Sequence, residues 1–405
     1  MDFFNNIILS TENLKNNIRI IKKQAGNKKI CAMIKANAYG HDVKFAVLNL
    51  KNQVDFFGVA NAVEAMEVRK YAQRNKILVC GKVQKCDLKT MIENGISLTV
   101  FSIKNLFEVL AVCKKQNLKA NIHLKLNTGM NRLGIKSKKV LLNILDLINK
   151  NAKHLTFEGI YSHLFNSENV GLCHTQYNRF LKLLDCINIY NNNFILNDNK
   201  KHKIAKYIKT RKCRLMNVYT KKDIQNKQKN AFEFKNLFVH LENSVGLFNN
   251  VDYLNVCNMT RVGIALYGLE IKNKGLKPVL SLSSKIVQIQ NVKIEDYVGY
   301  GKTIMEKDGK VAVVPIGYAD GIIRAYKNHY VVIKNKYHKI LNVCMDSILV
   351  DVSSSYVKVG DDVEIISTNL HKQNCVNGIA KHLGTISYEV VTNLNHNRMN
   401  LIVDK

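Results

Sequence analysis

The sequence predicts an α/β protein of two parts, an N-terminal (β/α)8 barrel domain followed by a C-terminal all-β domain. Three observations carry this expectation. The chain is 405 residues long, more than one hydrophobic core usually supports, so two domains are expected. Over its first two thirds, short apolar runs alternate with helical patterns, as in parallel α/β folds. After about Pro278 the runs become short and β-like, separated by Gly, Asp and Asn, the pattern of a separate β domain.

The candidate strands, in order, are Ile30–Ile34, Phe56–Ala60, Ile77–Cys80, Leu98–Phe101, Asn121–Leu126, Phe157–Tyr161, Leu237–Val239 and Gly263–Leu266. Amphipathic stretches such as Asn105–Lys115 and Lys139–Leu147 follow several of them. Eight such runs suit a closed barrel. A doubly wound open sheet is the rival, but no GxGxxG follows any strand. Residues from about Ile187 to Asn230 are rich in Lys, Asn and Arg with weak apolar periodicity, and read as a solvated, basic insertion on a βα connection. The β-type runs are LSLSSKIVQIQ, KVAVVPIGYADG, HYVVIKN, KILNVCMDSILVDV and DDVEIIS. The boundary falls near residues 270–280, giving expected domains of 1–275 and 276–405.

Composition removes several function classes. Hydrophobic residues make up 46%, ordinary for a globular protein. The opening MDFFNNIILS has neither a basic segment nor a small-residue cleavage site, so it does not read as a signal peptide. No stretch stays apolar long enough to span a bilayer, and a cytoplasmic protein with no membrane partner is expected. Ten cysteines stand singly, without metal-ligand spacing; reduced core residues and no metal are expected. Lys and Arg number 61 against 31 Asp and Glu, a formal charge of +30. That excess can mark a nucleic-acid partner. Here lysine and asparagine are spread along the whole chain with 2 Pro and 0 Trp, and no nucleic-acid-binding motif accompanies them. Biased composition is the reading, and no nucleic-acid partner is expected.

The first chemical motif is CAMIKANAYGHD, Cys31–Asp42. An apolar strand ends in Lys35, and a loop of small residues carrying Tyr39, Gly40 and His41 follows. A lysine at the carboxyl end of a barrel strand lies on the face where barrel active sites form. Apolar neighbours would lower its pKa, as imine-forming chemistry requires. By itself the motif also suits a lysine that merely ends a strand.

The surrounding pattern resembles the alanine racemase family. Lys35–His41 is similar to that family's cofactor-lysine signature, and further blocks follow in order: LKLNTGMNRLGI (Leu124–Ile135), GIYSHL (Gly159–Leu164), HLENS (His240–Ser244), TRVGIALYGL (Thr260–Leu269), VGYGKT (Val298–Thr303), VPIGYADG (Val314–Gly321), VCMDSILVDV (Val343–Val352) and TISYEVVT (Thr385–Thr392). The resemblance covers almost the whole chain. It implies a pyridoxal 5'-phosphate enzyme that interconverts L-alanine and D-alanine, supplies D-alanine for peptidoglycan, and acts as a homodimer with shared active sites.

The resemblance also implies roles. Lys35 would hold the cofactor and move a proton on one face of the substrate, acting on D-alanine, while Tyr300 serves the opposite face for L-alanine. A free tyrosine pKa near ~10 is high for a base, so Tyr300 needs a cationic or hydrogen-bonding environment. Arg261 would face the pyridine nitrogen and keep it unprotonated, because two positive charges in contact are costly. Ser244, Gly263 and Ile264 would hold the phosphate, with Tyr39 and Tyr388 closing over it. His163 would lie against the cofactor ring and His240 would support Arg261. Arg132 and Met345 match positions near the substrate carboxylate, for which a guanidinium fork is suited.

Three departures stand out. Asn127 occupies a position usually Asp. The insertion before the seventh strand is longer and more basic than usual, whereas Lys125 matches a lysine that can be carbamylated in some relatives. The segment after Arg398 matches the family poorly. Two other readings compete: a broader-specificity amino-acid racemase or another pyridoxal-phosphate barrel enzyme, and a non-catalytic basic binding protein. Arg261 disfavours decarboxylation, where an acidic partner better suits a stabilised carbanion; Lys35 and Tyr300 together disfavour the binding protein.

Overall fold

The structure, a computed structural model, describes residues 3–191, 237–249, 256–271 and 274–404. Its residues form two compact units. One comprises the described parts of 1–82, 242–251 and 259–405; the other comprises those of 83–241 and 252–258.

In the first unit, β2 (Lys29–Met33), β3 (Phe56–Val59), β4 (Lys76–Val79) and β9 (Met259–Val262) run parallel in the order β9-β2-β3-β4. Every residue of β3 and β9 is buried, the mark of a parallel strand covered on both faces. In the second unit, β5 (Ile96–Val100), β6 (Ala120–Lys125), β7 (Leu155–Tyr161) and β8 (Phe238–His240) run parallel in that order.

The helices between strands carry local start signals. Ser10 accepts from the Asn13 N–H to open Thr11–Ala25, which buries Leu14, Ile18, Ile21 and Ala25 on one face. Ser102 and Ser137 cap Ile103–Gln116 and Lys138–Lys150 in the same way. Each cap satisfies a backbone donor that the helix itself leaves orphaned.

The first unit also holds an antiparallel-rich sheet built from β1 (Asn6–Ser10), β10 (Leu280–Lys285), β11 (Gln288–Val292), β12 (Gly309–Val314), β13 (Tyr330–Ile333), β14 (Lys336–Val343), β15 (Ile348–Asp351), β16 (Asp362–Ile366) and β17 (Asn400–Asp404). Its order is β11-β12-β15-β14-β13-β16-β10-β1-β17. In β10 buried and part-buried residues alternate, so only one face meets the core.

The structure departs from the sequence expectation in three places. The eighth barrel-type strand is Met259–Val262, not Gly263–Leu266; the latter residues form a short 3-10 turn, Ile264–Tyr267, fully buried and begun by Gly263 at φ −123°, ψ −88°. Residues at both chain ends, including the poorly matching tail after Arg398, form strands that pair in parallel: Ile7 lies opposite Leu401 and Leu9 opposite Val403. The helix Val170–Asn191 runs into the start of the expected insertion, the rest of which lies outside the described residues. No helix among the described residues is long and apolar enough to cross a membrane.

Leu9 is fully buried and also faces Leu280 across the antiparallel β1–β10 pair. Replacing it by alanine leaves a void where the two termini meet. Leu9→Ala is expected to lower the unfolding free energy by about 2–5 kcal/mol, measured by chemical denaturation; an unchanged midpoint would place β1 outside the core.

Candidate active site

Lys35 follows β2 directly. The N–H of Ile34 donates to Gly58 O at 2.9 Å, which fixes the strand end beside β3. The chain then makes a left-handed turn: Ala36, Asn37, Ala38 and Tyr39 have φ of 51°, 50°, 55° and 56°. Such backbone costs roughly 1–2 kcal/mol per L-residue, so it persists only where the surroundings over-determine it. They do. Glu64 accepts from the Ala36 N–H at 2.9 Å with one carboxylate oxygen and from the Ala60 N–H at 2.7 Å with the other. Asn37 Oδ1 accepts from Val43 N–H at 2.8 Å, and His396 Nε2 donates to Gly40 O at 3.0 Å. Gly40, at φ +74°, lies against the Val391 carbonyl with no room for a Cβ.

The turn leaves Lys35 half-buried, its Nζ 5.8 Å from the centre of the Tyr39 ring. The Tyr39 ring is buried between Tyr267 and Tyr388, with centroids 5.5 and 5.8 Å away. A Cβ on Gly263 would sit 2.5 Å from the Tyr39 hydroxyl, so glycine is required for the phenol to reach the backbone here. Burial pushes the Tyr39 phenol well above its ordinary value. Burial, with the Glu270 carboxylate adding to it, pushes Tyr388 up to about 12. Both therefore remain O–H donors. Ser244 Oγ accepts from the N–H groups of Gly263 at 3.0 Å and Ala265 at 3.3 Å. With its lone pairs so engaged, its own proton is free to donate. A serine hydroxyl and two neutral phenols, beside a glycine that leaves room for close approach, form a donor set that fits a phosphate, so the residues present fit pyridoxal phosphate.

Arg261 is buried on β9, opposite Cys31 in the β2–β9 ladder, and its N–H donates to Glu242 O at 3.1 Å. Glu242 forms a salt bridge with Lys28; burial nevertheless pushes its carboxyl above the usual range. Ile264 is fully buried next to Gly263. Of the residues singled out from the sequence, Lys35, Tyr39, Ser244, Arg261, Gly263, Ile264 and Tyr388 thus belong to one compact unit.

Tyr300 and Met345 lie in the same unit but on exposed loops of its β sheet, 74% and 52% accessible. The backbone beneath Tyr300 is fixed: Asn342 Nδ2 donates to Val298 O at 2.8 Å and to Tyr300 O at 2.7 Å.

Arg132 and His163 belong to the second unit. Arg132 is exposed and His163 half-buried, its carbonyl accepting from Gln176 Nε2 at 2.9 Å. Asn127 Oδ1 accepts from the N–H groups of Gly129 at 3.0 Å and Asn131 at 3.1 Å. An amide oxygen thus makes the turn contacts open to a carboxylate oxygen, which accounts for asparagine here. Lys125 is buried with its Nζ 5.4 Å from the Tyr161 ring centre. His240 is fully buried and hydrogen-bonded to His123 at 3.0 Å. Sequence reasoning missed Glu64, although Asn61 and Glu64 stand at the spacing of a capping box. It also missed Tyr267, on which the His41 ring stacks at 4.2 Å.

Comparison with known proteins gives a consistent result. Residues 9–194 match the family described as alanine racemase, N-terminal domain, and residues 279–402 match alanine racemase, C-terminal domain. The chain is 32% identical over 399 residues to the alanine racemase of Francisella philomiragia, covering 96% of each. It is 34% identical over 400 residues to that of Borreliella burgdorferi, covering 96% of this chain and 94% of the relative. Among solved structures, the alanine racemase of Clostridium difficile 630 superimposes with a TM-score of 0.80 at 26% identity, covering 100% of this chain and 97% of that one. The Bacillus anthracis alanine racemase with bound L-Ala-P gives 0.80 at 26% identity, covering 100% and 96%. These similarities bear out the expected fold class, an N-terminal α/β barrel with a C-terminal β domain.

His41 closes the cofactor-lysine motif as a buried, neutral ring; its Nδ1–H donates to Tyr39 O at 2.9 Å, and desolvation lowers its pKa to about 3. In the unfolded chain the same ring takes a proton near its ordinary pKa of ~6.5. The unfolded state therefore binds more protons below that value, and the stability from a neutral His41 is lost as pH falls from about 6.5 toward 3. His41→Phe is expected to flatten the acid limb of a stability-versus-pH curve in that window; an unchanged slope would show that His41 titrates normally.

Proposed function

The chain belongs to the alanine racemase family, and from this premise we propose that Lys35 and Tyr300 are the two bases of its reaction. That reaction is the interconversion of L-alanine and D-alanine with pyridoxal phosphate. The observation that supports the residue assignment best is the donor set at Gly263 and Ser244, beside Tyr39, which follows Lys35 on the same left-handed turn.

When bound, pyridoxal phosphate supplies an electron-withdrawing ring that makes the α-proton of alanine removable. The protein supplies everything else. Tyr39, Ser244, Tyr388 and the backbone at Gly263 and Ile264 hold the phosphate through hydrogen bonds. Arg261 would face the ring nitrogen and, being always charged, keep it unprotonated. His163 lies against the ring, and His240 supports Arg261. Arg132 and Met345 set the substrate carboxylate and the space around it. Racemisation needs a proton removed from one face of the α-carbon and returned to the other. Lys35 Nζ handles it on the face used for D-alanine and Tyr300 Oη on the face used for L-alanine. The product D-alanine serves peptidoglycan synthesis.

Borohydride reduction of the holoenzyme is expected to fix the cofactor to Lys35, read by peptide mapping. Tyr300→Phe is expected to retain cofactor while nearly abolishing racemisation, with exchange of the α-proton impaired more from L-alanine than from D-alanine. An adduct on another lysine, or equal residual exchange from both enantiomers in deuterated water, contradicts the assignment.

We further propose a barrel domain of about 1–275, a β domain of 276–405, and a homodimer in which Tyr300 and Met345 complete the partner's site. The exposure of both side chains supports this. In a two-fold dimer each site then combines two chains. Mixing tagged Lys35→Ala and Tyr300→Phe chains puts both lesions in one site of a mixed dimer and neither in the other. Random pairing makes about half the dimers mixed, so roughly a quarter of wild-type activity should return. Mixed dimers that form and stay inactive would mean that each site lies within one chain.

A further inference from the structure

Glu64 is outside the residues assigned above to cofactor or substrate, yet its carboxylate binds the peptide from which Lys35 hangs. β2 and β3 pair in parallel, Cys31 beside Phe56 and Met33 beside Gly58, and the Ile34 N–H closes the ladder on Gly58 O. Past the end of that ladder, the Ala36 N–H donates to one oxygen of Glu64 at 2.9 Å and the Ala60 N–H to the other at 2.7 Å. One side chain thus continues the link between the two strands where their own hydrogen bonds stop.

The local sequence suits Glu64 to a different task. Asn61 caps the helix Ala62–Tyr71, its Oδ1 accepting from the Glu64 N–H at 2.9 Å. A glutamate three residues after a cap ordinarily turns back to the cap's own N–H. Here the two oxygens go to Ala60 and Ala36 instead. Ala65 and Val68 bury the helix's inner face, so the backbone that carries Glu64 is anchored. The first turn of a helix favours a negative charge, and a carboxylate only accepts, which matches two converging N–H groups.

We propose that Glu64 is a positioning residue for Lys35. The Lys35 carbonyl and the Ala36 N–H belong to one planar peptide. A hydrogen bond at the Ala36 N–H therefore fixes the plane that leaves the Lys35 Cα, and with it the ψ rotation of that residue. The bond from Ile34 to Gly58 fixes the chain one residue earlier. Together they set the direction in which the lysine side chain departs. Without Glu64, Ala36 loses a partner that holds it at φ 51°, a conformation costly for an L-residue. Proton transfer tolerates little displacement, since a shift of about 1 Å can lower a rate on the order of 10²-fold. The proposal rests on the reading of Lys35 as the base for D-alanine.

Hydrogen exchange and isotope effects, both measured on the holoenzyme, test it. In Glu64→Ala, exchange at the Ala36 and Ala60 amides is expected to quicken by roughly tenfold or more, the scale of a hydrogen bond to a charged group. Turnover is expected to fall by roughly 10- to 100-fold with the cofactor still attached. The α-deuterium isotope effect on kcat/KM should rise for D-alanine, because the lysine step is slowed. It should fall for L-alanine, whose tyrosine step then limits less. A smaller fraction of folded enzyme would change neither isotope effect. Glu64→Gln keeps one acceptor oxygen and is expected to lie between wild type and Glu64→Ala; if the alanine variant does not fold, the glutamine variant carries the comparison. Isotope effects equal to wild type in a folded variant, with the borohydride adduct on Lys35, overturn the positioning role alone, even where exchange quickens. An adduct on another lysine overturns the reading of Lys35 and this proposal with it.

Discussion

The left-handed turn after β2 is the constraint on which the catalytic part of the structure depends. Four consecutive L-residues at φ near +50° are held by Glu64, by Asn37 and by His396, the last of them 356 residues from the Gly40 carbonyl it binds. A right-handed continuation would start a helix and carry Tyr39 away from Gly263. The reversed turn instead aims its phenol at that backbone, where only glycine leaves room. The Gly263 N–H is in turn held by Ser244. Lysine, phenol, serine and the end of β9 are thus parts of one geometric arrangement, and loosening the turn would disturb all of them.

A second theme is the use of few acids in a basic protein. With 31 acidic side chains against 61 basic ones, most carboxylates could be spent on the surface. Several are not. Glu242 is buried against Lys28 and adjoins the strand that carries Arg261, and Glu158 is buried against His123 and Ser97. Buried ionic groups seldom add stability beyond what apolar residues of the same volume would give. Each is instead hydrogen-bonded to a neighbouring side chain, Glu242 to Lys28 and Glu158 to Ser97, as a buried polar group must be.

The barrel-type strands were legible because parallel strands covered on both faces read as continuous apolar runs, as FFGV in β3 does. β9 breaks that rule. Its MTRV contains Thr260 and Arg261, both buried, so the polar residues hid the strand and the following apolar IALY attracted the assignment. β1 escaped notice because five residues that pair with strands more than 270 positions away carry no local signal. The site residues were legible as motif blocks. Glu64 was not, since a glutamate in the first turn of a helix has the look of any capping residue.

The surroundings of Tyr300 show why exposure and order need not oppose each other. Gly299 and Gly301 both adopt positive φ, at 69° and 86°, and one asparagine amide ties the carbonyls on either side of Gly299. Tyr297 and Ile304 form a bridge below, and the Val298 N–H donates to Thr303 O at 2.8 Å. Beneath the loop, Val298, Met305 and Val311 are buried together. The backbone therefore has little freedom, while the Tyr300 side chain extends from it into solvent. A surface tyrosine with no role needs no such foundation. Fixing the backbone in advance reduces the ordering cost when the ring later meets another surface, and it holds the hydroxyl within the small tolerance that proton transfer demands.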